Sequence, residues 1–134
     1  MPAPERIEAY CLDKPGAYRD LPFGETPVCF KVGGRLFAEL YPRPEDYIIT
    51  LKCDPILAGF YRRQYPGVVV RGYHCPSAQQ PHRNTVQIDR IDEQVLYEMI
   101  DHSYERVLAA LPKRLLRTLS LGGGEYQKKG RQDG

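Results

Sequence analysis

Between Arg71 and Asp89 the chain reads RGYHCPSAQQPHRNTVQID. Two of its three histidines, His74 and His82, lie here with the thiol of Cys75 and the guanidinium groups of Arg71 and Arg83. Imidazole and thiolate ligate zinc, imidazole moves protons near neutral pH, and guanidinium holds phosphate. Spacing decides among these chemistries. His74 and Cys75 are neighbours, so an extended backbone sends them to opposite sides. His82 follows eight residues after His74, across PSAQQP, and even with His102 added no tetrahedral ligand set is fixed. No metal or other cofactor is expected. The stretch DHSY, Asp101 to Tyr104, holds the residue types of a hydrolase triad. Consecutive helical residues point roughly 100° apart, so these side chains cannot relay a proton. His102 instead shares a face with Glu98 and Glu105 and reads as surface charge pairing, while Ser103 falls in an apolar stripe. VGGRLF and GGGEYQ lack the spacing of a nucleotide-binding loop, and no nucleophile elbow is present. No catalytic residue emerges, and an enzyme is not expected.

Cys11, Cys29, Cys53 and Cys75 are separated by 18, 24 and 22 residues, so no pair has the close spacing of a structural zinc site. They read as free thiols of a cytosolic protein. MPAPERIEAY has neither the basic start nor the apolar stretch of a signal peptide, and no apolar run approaches a membrane span. A cytoplasmic location without membrane contact is the expectation. The net charge of +2 hides a strong alternation. Residues 1–60 carry 7 basic and 9 acidic groups, and residues 61–90 carry 5 and 1. Residues 91–112 carry 1 and 5, and residues 113–134 carry 6 and 2. The histidine stretch therefore sits in a basic island of +4 ahead of an acidic helix of −4. Such an island attracts phosphates unless the acidic helix neutralises it.

These residues need elements to position them. PERIEAYCL predicts a first helix, with Pro4 at a first helical position and Ile7, Tyr10 and Cys11 on one face. PVCFKV and RLFAELY, joined by Gly33-Gly34, predict a hairpin. PRPED reads as a loop that its prolines keep out of the sheet, and YIITLKC as the third strand. Asp54 and Pro55 cap and open a second helix, in which Ile56–Phe60 and Leu57–Tyr61 are i,i+4 pairs, and Pro66-Gly67 stops it. VVVRGYH and NTVQID predict strands four and five. Residues 92–111 predict the longest helix, with Leu96, Met99, Ile100, Ser103, Val107 and Leu111 as its stripe. PKRLLRTL predicts a short basic helix, and residues 122–134 a disordered tail after one domain, 1–121.

The order α-β-β-β-α-β-β-α with a terminal helix predicts an α+β two-layer fold, an antiparallel sheet with helices on one face. The other face then looks outward. Period-2 parity places Lys31, Arg35, Phe37, Glu39, Tyr41, Thr50, Lys52, Arg71, Tyr73, Thr85 and Gln87 on it. Cations and aromatics on an open sheet suit phosphates and stacked bases.

YCLDKPGAYRDLPFGETPVCFKVGGRLFAEL, LKCDP, QYPGVVVRGYH, NTV and IDHSYERVLAALPKRL resemble the YjbR/MmcQ family of small bacterial proteins over about residues 7–117. The resemblance implies an α-β3-α-β2-α fold related to type III secretion chaperones and compared with the frataxin-like fold. It also implies DNA binding, the role commonly ascribed to the family. The family pattern resembles Gly-Tyr-His-Met, a short basic linker, then His-Trp-Asn-Thr. Gly72, Tyr73, His74, His82, Asn84 and Thr85 match it. Cys75 stands for the Met, Arg83 for the Trp, and PSAQQP for the lysine-bearing linker, in a loop about three residues longer. The expected function is non-enzymatic, weakly sequence-selective binding of DNA, or of RNA. Lys52, Arg62, Arg63, Arg71 and Arg83 would neutralise phosphates, Tyr73 would stack, and His74, His82 and Asn84 would complete the site. The alternative is a chaperone-like module that holds a protein client on its open sheet.

Overall fold

The computed structural model describes residues 3–72 and 75–121. Helix α1 is Pro4–Leu12, and strands β1 to β4 are Tyr18–Asp20, Val28–Val32, Arg35–Arg43 and Asp46–Lys52. Helix α2 (Pro55–Gln64) and strand β5 (Val69–Arg71) follow, then a 3₁₀ helix (Ser77–His82) and strand β6 (Arg83–Gln87). A second 3₁₀ helix (Ile88–Arg90) leads into α3 (Glu93–Ala110) and α4 (Lys113–Leu121). The strands form one antiparallel sheet in the order β1-β2-β3-β4-β6-β5. This is the expected α+β layering. Local chemistry explains its punctuation. The Asp54 carboxylate accepts from the amides of Ile56 and Leu57, and that of Asp92 from Gln94 and Val95. Gly33 and Gly34 turn the β2–β3 hairpin at φ values of 59° and 80°, which L-residues seldom adopt.

The core lies between the sheet and helices α1 and α3. Phe30, Phe37, Leu40, Ile49 and Val86 meet Ile7, Leu96, Ile100 and Val107 there, all at 2% exposure or less. Tyr104 of α3 packs edge-on to Phe37, and its hydroxyl donates to the Pro15 carbonyl. Tyr10 of α1 stacks on Tyr97 of α3 at 3.9 Å, with Arg6–Glu93 and Lys14–Asp101 ion pairs on either side. Helix α2 covers β5 and β6, where Ala58 is buried.

Four expectations are corrected. The sheet has a further strand, β1, which is only Tyr-Arg-Asp and too short to show a period. PRPED is mostly strand: Pro42 pairs with Tyr47 in the β3–β4 ladder. Strand β2 stops opposite Leu40, so Pro42 lies on an open edge, where a missing N–H breaks no ladder bond. Strand β5 ends at Arg71, and Ser77–His82 is 3₁₀ helix rather than irregular loop. Finally, the β2–β3 register shifts between Phe30 and Lys31: Phe30 pairs with Ala38, but Lys31 pairs with Leu36. Phe37 is the extra residue of this bulge and turns into the core with 1% exposure. It leaves the outer face, and Leu36 joins Lys31 there. The tail expected beyond residue 121 lies outside the described residues.

Candidate nucleic-acid interface

Cross-strand partners share a face, so the register sorts the candidate residues. On β4 and β6, Thr50 pairs with Thr85 and Lys52 with Arg83, on the face away from the helices. Asn84 pairs with Leu51 and with Arg71, on the helix side. Parity alone had put Arg71 beside Lys52; the β5–β6 register puts it on the other face.

The outer face is not a bare polar surface. Thr50 and Thr85 are each 2% exposed, with their hydroxyls 2.9 Å apart, and Cys29 is equally hidden. A cleft of about 410 Å³ opens beside them, lined by Phe23, Cys29, Lys31, Glu39, Cys75 and Arg83 among others. Its charges are matched: Arg83 lies 3.6 Å from Glu39, and Lys31 2.7 Å from Asp20. Burial pushes the Cys29 and Cys75 thiols up, so they are protonated near neutral pH and are poor nucleophiles. The middle of the sheet is therefore close to neutral, and the cations gather at one end.

At that end Lys52 closes β4 directly opposite Arg83, which opens β6. Like charges in register destabilise an antiparallel pair. Lys52 is half-buried, and no carboxylate pairs with it among the described residues. Burial first, then the guanidinium groups of Arg83, Arg35 and Arg106, hold its ammonium below the ordinary lysine value. A second group lies around the sheet end. Arg62 donates to Asn84 Oδ1 at 2.7 Å, and its acidity is raised by burial and by Arg71, with a smaller push from Arg63. Arg63 and Arg71 are exposed. His82 is exposed between the two groups, and its carbonyl accepts from the Cys53 amide.

Asn84 is not a surface contact. It is 3% exposed, and its amide donates to the Ala58 carbonyl while its oxygen accepts from Arg62. It positions Arg62 rather than a ligand. Tyr73 and His74 lie outside the described residues. Parity had put Arg35 on the face of Lys52, but Arg106 joined the cluster without a sequence signal, since it is a lone cation in an acidic helix. His102 is also misread by surface pairing: its Nε2 accepts from the Asp54 amide at 3.1 Å, and burial and Arg106 keep the ring neutral. It ties α3 to the start of α2. Ser103 is a clamp, not apolar filler. Its hydroxyl donates to the Phe37 carbonyl at 2.5 Å and accepts from the Lys52 amide at 2.9 Å. The bulge frees that carbonyl, and Ser103 satisfies it.

A family model for YjbR matches residues 12–106. The chain belongs to the YjbR family. The uncharacterised protein YjbR of Escherichia coli K12 is 28% identical over 113 residues, covering 82% of this chain and 91% of its own. The YjbR of Escherichia coli O157:H7 matches to the same extent. Among solved structures, Deinococcus radiodurans protein DR2400, with its DUF419 domain, superposes with a TM-score of 0.79. Its identity is 24%, over 90% of this chain and 89% of that one. A Pseudomonas syringae protein gives 0.65 at 19% identity, over 78% and 98%. These likenesses establish the fold. No helix among the described residues is long and apolar enough to cross a membrane.

Proposed function

We propose that this YjbR-family chain is a non-enzymatic nucleic-acid-binding protein of low sequence preference, holding the phosphate backbone across the cationic end of its sheet. One observation carries the reading. Lys52 and Arg83 stand opposite each other, Arg35 and Arg106 add their fields, and no carboxylate pairs with Lys52 among the described residues. Glu39 partly offsets Arg83 and Asp54 partly offsets Arg106, so the remaining like-charge cost in the free protein falls on Lys52. An arriving phosphate offsets the repulsion and favours the Lys52 ammonium. Arg62, Arg63 and Arg71 extend the track past exposed His82. A track of cations along a sheet end suits phosphate-backbone contacts more than base readout.

Fluorescence polarisation with labelled DNA and RNA, titrated over salt, tests the reading. About four engaged cations predict a log–log salt slope of about −3 to −4. Absence of salt-dependent binding at low salt refutes it. A client-binding role for the outer sheet face has less support, because Thr50, Thr85 and Cys29 are already covered.

A further inference from the structure

Helix α2 carries an exposed apolar ridge, in which the Phe60 ring meets the edge of Tyr61 at 6.0 Å and is otherwise open on its outer side. Ile56 is 83% exposed and Phe60 49% exposed. Ala58 is buried and Tyr61 packs against the core, while Leu57 is half-buried, so the helix divides between core and surface. Arg63 continues the ridge at the next turn, giving spacings of four and three along one face. The helix contains no acidic residue, and its N-cap Asp54 is engaged with the helix amides and with Arg106. Gly59 matters here. A Cβ at that position would lie 3.3 Å from Arg63 Nη1 and 3.7 Å from Arg62 Nη2, so both guanidinium groups lie close to the helix backbone beside Phe60. Exposed Arg71 stands close to Arg62, across the end of β5.

We propose that the Ile56–Phe60 ridge is a base-stacking platform, which makes single-stranded nucleic acid the preferred ligand of the cationic end. The inference rests on the nucleic-acid reading above and adds the strand class. Charge complementarity selects a polyanion, because the guanidinium groups of Arg62 and Arg63 lie beside the ridge, Arg71 stands near Arg62, and α2 holds no carboxylate to oppose them. The aromatic step then selects among polyanions. A duplex keeps its bases stacked internally and presents only phosphates to a convex helix. An unpaired base has a free face, and each base stacked on an aromatic side chain contributes substantially whatever its identity.

The test is polarisation titration of a labelled oligonucleotide of about 12 nucleotides and of its duplex, using the wild-type chain, Phe60→Ala and Phe60→Tyr. The wild type should bind the single strand more tightly. Phe60→Ala should weaken single-strand binding about tenfold while leaving duplex binding and the salt slope unchanged. Phe60→Tyr should restore the single-strand preference, and thermal melts should show both variants folded. Equal loss on both ligands, no loss on either, or a wild-type duplex preference overturns the proposal. So does a change of oligomeric state in Phe60→Ala by light scattering, which would make the ridge a contact between copies. If the wild type binds neither strand at low salt, the parent reading fails and takes this one with it.

Discussion

Replacing Ser103 by alanine removes one hydroxyl and strands two backbone groups, the buried Phe37 carbonyl and the part-buried Lys52 amide. The hydroxyl donates to the Phe37 carbonyl at 2.5 Å and accepts from the Lys52 amide at 2.9 Å, and Ser103 is fully buried. A buried polar group left without a partner costs about 1–3 kcal/mol, so two cost about 2–6 kcal/mol before relaxation. Alanine's better helix propensity returns about 0.5 kcal/mol. Partial relaxation of the bulge brings the expected loss to about 2–4 kcal/mol, a large share of the ~5–15 kcal/mol that holds a domain together. Urea unfolding followed by circular dichroism measures it directly. The midpoint should fall by about 1–2 M, with the slope of the transition unchanged. The melting temperature should drop by roughly 6–20 °C. A loss below about 0.5 kcal/mol, the level of an ordinary surface substitution, would refute the clamp: the bulge carbonyl would then have to be satisfied without Ser103.

Three further outcomes follow from the geometry. Lys52→Gln should weaken nucleic-acid binding and reduce the salt slope by about 1, with stability at neutral pH unchanged or raised. The sign comes from linkage: the folded ammonium is disfavoured against the unfolded value of 10.5, so its penalty is present at neutral pH and fades as pH rises. His102 is shifted in the same sense, but in the acid range. Its folded value lies below 6.5, so the stability it provides is intact above that pH and is lost as pH falls further. In His102→Gln this acid limb of the urea midpoint should flatten; an unchanged limb removes His102 from the account. In the hairpin, Gly33→Ala should cost more than Gly34→Ala by urea denaturation. Both adopt positive φ, at about 1 kcal/mol each, but a Cβ at Gly33 would also meet Leu111 Cδ1 at 2.8 Å, whereas Gly34 faces open space.

The helices and the main hairpin were legible because their signals are local. Asp54-Pro55 and Asp92 mark helix starts by hydrogen bonds that reach only two or three residues, and Gly33-Gly34 marks a turn by its own backbone freedom. The sheet faces were not legible, because a face is a property of register. Phe37 shares the sequence parity of Arg35 and Glu39, and nothing in RLFAELY announces that one residue is extra. Arg71 shows the same limit between strands: its side is set by pairing with Asn84, not by its place in VVVRG. The candidate site was partly legible for a related reason. The basic island pointed to Arg62, Arg63, Arg71 and Arg83 and parity to Arg35, but Arg106 approaches Lys52 only through the fold. Phe60 was hidden among apolar residues of one helix, and only its exposure separates it from Tyr61.

The bulge links stability to the site. It sends Phe37 into the core against Tyr104, which fixes α3 on the sheet. It frees the Phe37 carbonyl, which Ser103 captures, and the same hydroxyl holds the amide of Lys52. One turn along α3, Arg106 contributes to the field at the Lys52 ammonium, and the adjacent His102 holds the amide of Asp54, two residues beyond Lys52. Helix α3 thus grips the end of β4 at successive points while that end carries Lys52, which no carboxylate among the described residues pairs with, opposite Arg83. A strand end under like-charge repulsion would fray unless something other than the ladder held it. The Ser103 and His102 bonds supply that hold. The position of Lys52 is then set by the core rather than by its charge partners, as a preorganised phosphate contact requires. Ser103→Ala should accordingly weaken nucleic-acid binding under conditions where the variant is still fully folded, although Ser103 touches no ligand. Unchanged affinity in the folded variant would uncouple the clamp from the site.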